Sequence, residues 1–235
     1  MFRGDHPGLG RALHSGLAAA RELGQPRASS EHLLLGLSIS ASQVSAVLAG
    51  HGATTAAIGA AVREAAPLGA GVAADRDLLA PLGIDLAEIL SGVSPVTLDR
   101  VAGREPVFPL GAAQARWRCA RLSPPLGLDA QAAYAASLRL ALARKEREHR
   151  AEHLALCLVA LDPGVSWLLR NTGVARSAQL AGLAAAFPPP QRGRLLTTER
   201  RLGLRRRRND LIRRYQRSTG HPVSSPSAVA ELIAG

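Results

Sequence analysis

The sequence predicts an all-α fold, and three observations carry that prediction. Leucine and alanine dominate a hydrophobic fraction of 47 %, while aromatic residues supply only 3 %. Alanine and leucine are the strongest helix formers, and β-branched residues are sparse. Apolar residues also recur at helical spacing, as in Leu9, Ala12, Leu13, Leu17, Ala20 and Leu23. Finally, a pattern returns. Glu31-His32-Leu33-Leu34-Leu35-Gly36-Leu37 reappears, loosened, as Glu152-His153-Leu154-Ala155-Leu156-Cys157-Leu158, an offset of 121 residues. The same offset pairs Ala12 with Ala133, Leu17 with Leu138, Ala20 with Ala141, Val44 with Val165, Leu48 with Leu169 and Gly52 with Gly173. A fixed offset over such a stretch predicts two copies of one structural unit.

The first copy, residues 1–65, reads as four helices. The run from Leu9 to Leu23 is amphipathic, and Gly24 stops it. Ser29 or Ser30 is placed to cap the next helix, with Glu31 in its first turn, where a negative charge suits the helix dipole. Leu33, Leu34, Leu35 and Leu37 are apolar nearly all round, which predicts a buried helix. Short helices near 43–50 and 54–65 complete the unit.

Residues 66–127 form a long connection broken by Pro67, Pro81, Pro95, Pro106, Pro109, Pro124 and Pro125, with one or two helices inside it and one suggested by Leu78–Ile89. The second copy spans 128–187. Pro188-Pro189-Pro190 ends it as a stiff spacer. Residues 188–235 form a basic extension, with a helix expected over 195–217 and another near 226–234. Of the chain's net charge of +11, +8 lies from residue 188 onward and +3 before it.

An amphipathic helix, a short polar turn, Glu-His-Leu-Leu-Leu and then Val44-x-x-x-Leu48-x-x-x-Gly52 resembles the Clp repeat. Two such repeats make the N-terminal domain of the Clp unfoldases. The resemblance covers about 9–62 and 128–186 and implies duplicated four-helix units, with His32 and His153 as repeat signature residues. It also implies a ligand role for Glu31 and Glu152, because in related proteins the Glu of this motif helps bind the guanidinium of phosphorylated arginine. Those relatives bring a threonine to the phosphate from a Phe-Thr opening; the openings at 7–12 and 126–130 contain none. A structural reading stays beside this one, with Glu capping its helix and His packing on the neighbouring helix.

Several chemistries find no support in the residues. His149-Arg150-Ala151-Glu152-His153 matches the H-x-x-E-H pattern of one zinc-protease class, but Glu152-His153 is the repeat's own signature and no third ligand is spaced for zinc. No metal is assigned. There is no G-x-x-x-x-G-K-[ST] phosphate loop, and the single lysine, Lys145, lies in a helical stretch. Gly69-Ala70-Gly71-Val72-Ala73-Ala74 has no preceding strand to make it a dinucleotide site. No cofactor and no enzymatic activity is expected. Cys119 and Cys157 are too few for a disulfide framework, and no signal pattern or membrane-length apolar run is present, so a cytoplasmic protein is expected.

The expected function is non-enzymatic protein recognition within the Clp proteolysis and chaperone system, as an adaptor or a decoy for substrates or Clp components. The alternative is a nucleic-acid-binding regulator. It would use Arg205, Arg206, Arg207, Arg208, Arg213 and Arg214, which flank an apolar stripe of Leu204, Leu211, Ile212 and Tyr215. The same stripe equally suits a helix docked on its own domain.

Overall fold

The computed structural model describes residues 2–40, 42–92, 121–189, 209–225 and 227–228, and among these it is helical, with no strand. The first half contributes α1 (Pro7–Glu22), α2 (Ser30–Ile39), α3 (Gln43–Gly50) and α4 (Thr55–Ala65). Then come α5 (Ala70–Leu79), a 3₁₀ turn (Ala80–Leu82) and α6 (Leu86–Ser91). The second half contributes α7 (Leu128–Ala143), α8 (Ala151–Leu161), α9 (Pro163–Asn171) and α10 (Arg176–Ala186). Residues 209–219 form α11. The offset of 121 carries both ends of α1 onto α7 and both ends of α4 onto α10.

Local chemistry sets the helix starts. Pro7 opens α1 while the His6 imidazole accepts from Gly8 N–H at 3.0 Å. Thr54 caps α4 through Ala57 N–H. Asp162 ends α8 and caps α9 through Val165 N–H at 2.8 Å, so the two helices meet at 85° across one residue.

The two apolar helices α2 and α8 lie in contact at the centre of the core. Leu33, Leu35 and Leu37, and their counterparts Leu154, Leu156 and Leu158, are all buried. In the first half α2 crosses α1 through glycine. A Cβ on Gly36 would stand 2.2 Å from the Ala12 carbonyl oxygen, and one on Gly16 would stand 2.6 Å from that of His32. At the same two positions of the second half stand Ser137 and Cys157, both buried.

The halves are tied by two reciprocal backbone bridges. His149 N–H donates to Gly4 O and His6 N–H to His149 O, at 2.9 and 2.8 Å. Ala28 N–H donates to Pro125 O and Gly127 N–H to Ala28 O, at 2.9 and 3.0 Å. Shifting either bridge by 121 residues in both partners gives the other. In each, the segment entering the first helix of one half pairs with the segment entering the second helix of the other.

One expectation needs correction, and one alternative is decided. The connection does not hold one helix over 78–89. Pro81 lies inside the 3₁₀ turn, Gly83 turns left-handed at φ +72°, and separate helices lie on either side. α5 is packed against α9, and Trp167 Nε1 donates to Asp77 at 2.6 Å. The described part of the C-terminal extension follows the docked one of the two readings that its apolar stripe allows. Leu211, Tyr215, Val223 and Ala228 are buried in the common core, and Ser224 N–H donates to Leu161 O at 3.1 Å. The expected helical start at 195–208 and most of 226–234 lie outside the described residues.

Candidate functional site

The signature histidines do the same local job in both halves, and it is not the one the sequence suggests. His32 Nδ1 accepts from Ser29 N–H at 3.2 Å, and His153 Nδ1 from Arg150 N–H at 3.0 Å. Each imidazole sits at the third helical position and reaches back to an amide that the helix leaves free, so His rather than Glu closes the N-terminus. Accepting at Nδ1 requires an unprotonated nitrogen. Burial pushes His32 down to about 4, which keeps it neutral.

That arrangement releases the carboxylates, and the two diverge. Glu31 is 1 % exposed. Its Oε1 accepts from Ala70 N–H, at the start of α5, at 3.3 Å. Gly69, with φ +92°, allows this approach; a Cβ there would stand 2.9 Å from Glu31 Oε1. Glu31 is therefore not a surface group in this structure, because α5 covers it. Glu152 stays partly exposed, with Arg150 Nη1 at 3.9 Å. The Coulombic surroundings of Glu31 are Asp129 and Asp162.

Those two acids complete a cluster where the halves meet. Asp129, in the first turn of α7, accepts from Ser30 N–H of α2 at 2.8 Å. Asp162 accepts from Val165 N–H and from the Tyr215 hydroxyl of α11. Burial raises all three carboxyls; repulsion from Asp129 and Asp162 raises Glu31 further, to about 8, and repulsion from Asp162 raises Asp129. Glu31 Oε2 and His32 Nε2 are buried with no hydrogen-bond partner among the described residues, while the Ser30 side chain lowers both Asp129 and Asp162 by hydrogen bonding. Two successive residues, Glu31 and His32, thus each bury an unpaired polar atom, which marks a high-energy turn. Neither Asp129 nor Asp162 stands out from the sequence, since neither belongs to the repeated motif, and Tyr215 is visible there only as part of the apolar stripe.

A second polar cluster joins Asp5, Tyr134, Ser137 and His149. His149 Nδ1 lies 2.8 Å from Asp5 Oδ1, and Nε2 lies 2.8 Å from Ser137 Oγ, while the Tyr134 hydroxyl donates to Asp5. The order is that of a nucleophile, a base and an orienting acid. However, Ser137 and His149 are fully buried, and Ser137 also bonds the Tyr134 carbonyl at 2.8 Å. Mid-helix backbone amides are used within α7, so no free pair faces a developing oxyanion. The cluster fastens the N-terminal arm to α7 and to the entry of α8. The offset makes it visible. Its residues correspond to Leu126, Leu13, Gly16 and Ala28, so four apolar or small residues at one junction between the halves become one bonded network at the other.

The remaining candidates disperse. His149 and His153 lie with ring centroids 6.1 Å apart, but His149 bonds Ser137 and Asp5, while His153 Nε2 faces Glu146 at 3.0 Å. No group of metal-ligating side chains forms among the described residues. Arg213 is exposed and Arg214 is bonded to Asp210 at 2.9 Å, whereas Arg205, Arg206, Arg207 and Arg208 lie outside the described residues. Among the described residues no single helix is long and apolar enough to cross a membrane. Searches with known family models and against curated proteins found no match to the chain.

Proposed function

We propose that this chain is a Clp-type double-repeat module that recognises protein segments non-covalently, as an adaptor or decoy within a Clp proteolysis system, and that it is not itself an enzyme. The observation that carries this reading is the pair of exchanged bridges at the 121-residue offset. Equivalent segments meeting reciprocally are what two copies of one helical unit produce when packed face to face. The motif that resembles the Clp repeat falls on the central helices α2 and α8. A docking role also accords with the apolar surface on α5 and α6, where Leu78, Leu82, Ile84 and Ile89 stand exposed within a short stretch. Of the two signature carboxylates, the partly exposed Glu152 is the one open to a ligand without rearrangement.

Titration of the full chain with a purified Clp unfoldase and with phosphoarginine peptides tests this reading. Saturable binding that weakens in Glu152→Gln supports it. No binding to either, together with DNA retention that falls steeply with salt, would replace it with the nucleic-acid reading.

A further inference from the structure

We propose that α5 is a proton-controlled cover over Glu31, closed while Glu31 is protonated and His221 is charged, and released as pH rises. The geometry supplies both fastenings. The start of α5 is held by Glu31 Oε1 on Ala70 N–H. Its middle is held by Asp75, whose Oδ2 lies 3.2 Å from His221 Nδ1 in the segment after α11. A third tie joins Trp167 Nε1 to Asp77 at 2.6 Å.

The surroundings of Glu31 decide the direction. Asp129 faces it from α7 and Asp162 from the α8–α9 junction. Tyr215 of α11 lies behind Asp162, with Cys157 of α8 beyond it, and the His221 charge acts on Asp162. On its own helix, His32 Nδ1 lies 3.8 Å away, but that imidazole is neutral and bonded to Ser29 N–H, so it offers no compensating charge. A negative charge on Glu31 is disfavoured by burial and by the neighbouring Asp129 and Asp162 carboxyls, and it finds no donor for Oε2. A neutral carboxylic acid is the form the closed state tolerates.

When α5 lifts, water reaches Glu31, and its carboxyl returns toward the ordinary 4.5 from about 8. Opening therefore releases about one proton, and each unit of pH between these values favours the open state roughly tenfold. His221 acts in the same sense. Its pKa is raised chiefly by its hydrogen bond to Asp75, so that fastening is complete below its ordinary value of 6.5 and is lost as pH rises through the raised one. Both ties loosen together. What emerges is the repeat's signature carboxylate in its ionised form, at a helix start, so the cover decides when Glu31 is available to any ligand.

Hydrogen exchange of the full chain, followed by mass spectrometry and corrected for intrinsic rates, tests the proposal. Peptides from α5 are expected to show an opening constant that rises roughly tenfold per pH unit up to about pH 8 and then levels, while peptides from α8 stay flat. Glu31→Gln keeps the acceptor for Ala70 N–H and replaces the acid hydroxyl with an amide. It should leave only the His221 contribution, and its α5 should exchange at least about tenfold more slowly at pH 8. An unchanged slope in Glu31→Gln, or equal slopes in α5 and α8, overturns the proposal. Infrared spectroscopy of the unmutated protein gives a second reading that does not depend on the variant folding. A carboxylic-acid carbonyl band is expected at neutral pH and should vanish at alkaline pH; its absence at neutral pH equally overturns the proposal.

Discussion

At the scale of single residues, the repeated Glu-His pair has divided its labour. His32 and His153 close their helices, and because an acceptor nitrogen must be free, the bond at His32 requires a neutral imidazole in the core. A group whose folded pKa is depressed loses its contribution as pH falls. For His32 the contribution is intact above 6.5 and is lost toward about 4, a span worth about 3 kcal/mol. His32→Asn places an amide oxygen near the Nδ1 position and has nothing to titrate. Urea unfolding midpoints measured from about pH 4 to 7 should show a shallower acid decline in this variant than in the parent. Both histidines are visible in the sequence, but their task is not. Capping boxes ordinarily use Glu or Gln at that position, and Glu31 stands one residue too early to serve. Asp129 and Asp162 were illegible for another reason. Each has an ordinary role in its own helix start, and only the meeting of the halves makes them neighbours of Glu31.

At the scale of elements, helix existence was legible and helix partnership was not. Composition and spacing place α1 to α4 within a few residues of their observed bounds, because each presents its own apolar periodicity, whereas the second copy is read only as a span over 128–187. Closeness of approach depends on side chains at crossings, as Gly16 and Gly36 show. Gly36→Ala should destabilise the chain by about 1–3 kcal/mol or more, since the added methyl meets backbone that cannot swing aside. Leu35→Ala, a simple cavity on the same helix, should cost ~2–5 kcal/mol. Chemical denaturation of both variants measures the two costs. The extension was ambiguous in sequence because a basic amphipathic stripe suits a docked helix and a free one alike. Docking of α11 places the Tyr215 hydroxyl on Asp162. Tyr215→Phe should therefore cost about 1–3 kcal/mol by leaving a buried carboxyl oxygen without its donor. Truncation after Phe187 should lower the melting temperature by several degrees, whereas an undocked tail would leave it unchanged.

At the scale of the whole molecule, buried titratable groups of opposite tendency shape one stability curve. Glu31 binds a proton more tightly folded than unfolded. Its contribution is complete below 4.5 and is lost as pH rises toward about 8. His32 runs the other way, losing its contribution as pH falls from 6.5 toward about 4. Between 4.5 and 6.5 the two slopes oppose each other at about 1.4 kcal/mol per pH unit each and nearly cancel. Above 6.5 His32 is neutral in both states while Glu31 still titrates, so stability should fall by about 2 kcal/mol before pH 8. The raised carboxyls of Asp129 and Asp162 and the raised imidazole of His221 all act in the same alkaline direction. His149, held low by burial, adds to the acid loss alongside His32. The chain is thus expected to be most stable in mild acid, even though its net charge of +11 falls toward zero as pH rises and general repulsion relaxes. The local terms prevail because they act in the buried core, where charge is poorly solvated, whereas repulsion between charges in water is screened by salt. Calorimetric melting from about pH 5 to 9 at fixed salt should show a maximum on the acid side and a decline through pH 8 that Glu31→Gln reduces. A melting temperature that climbs from pH 6 to 8 would mean that the carboxyl cluster is already open to water in the folded protein.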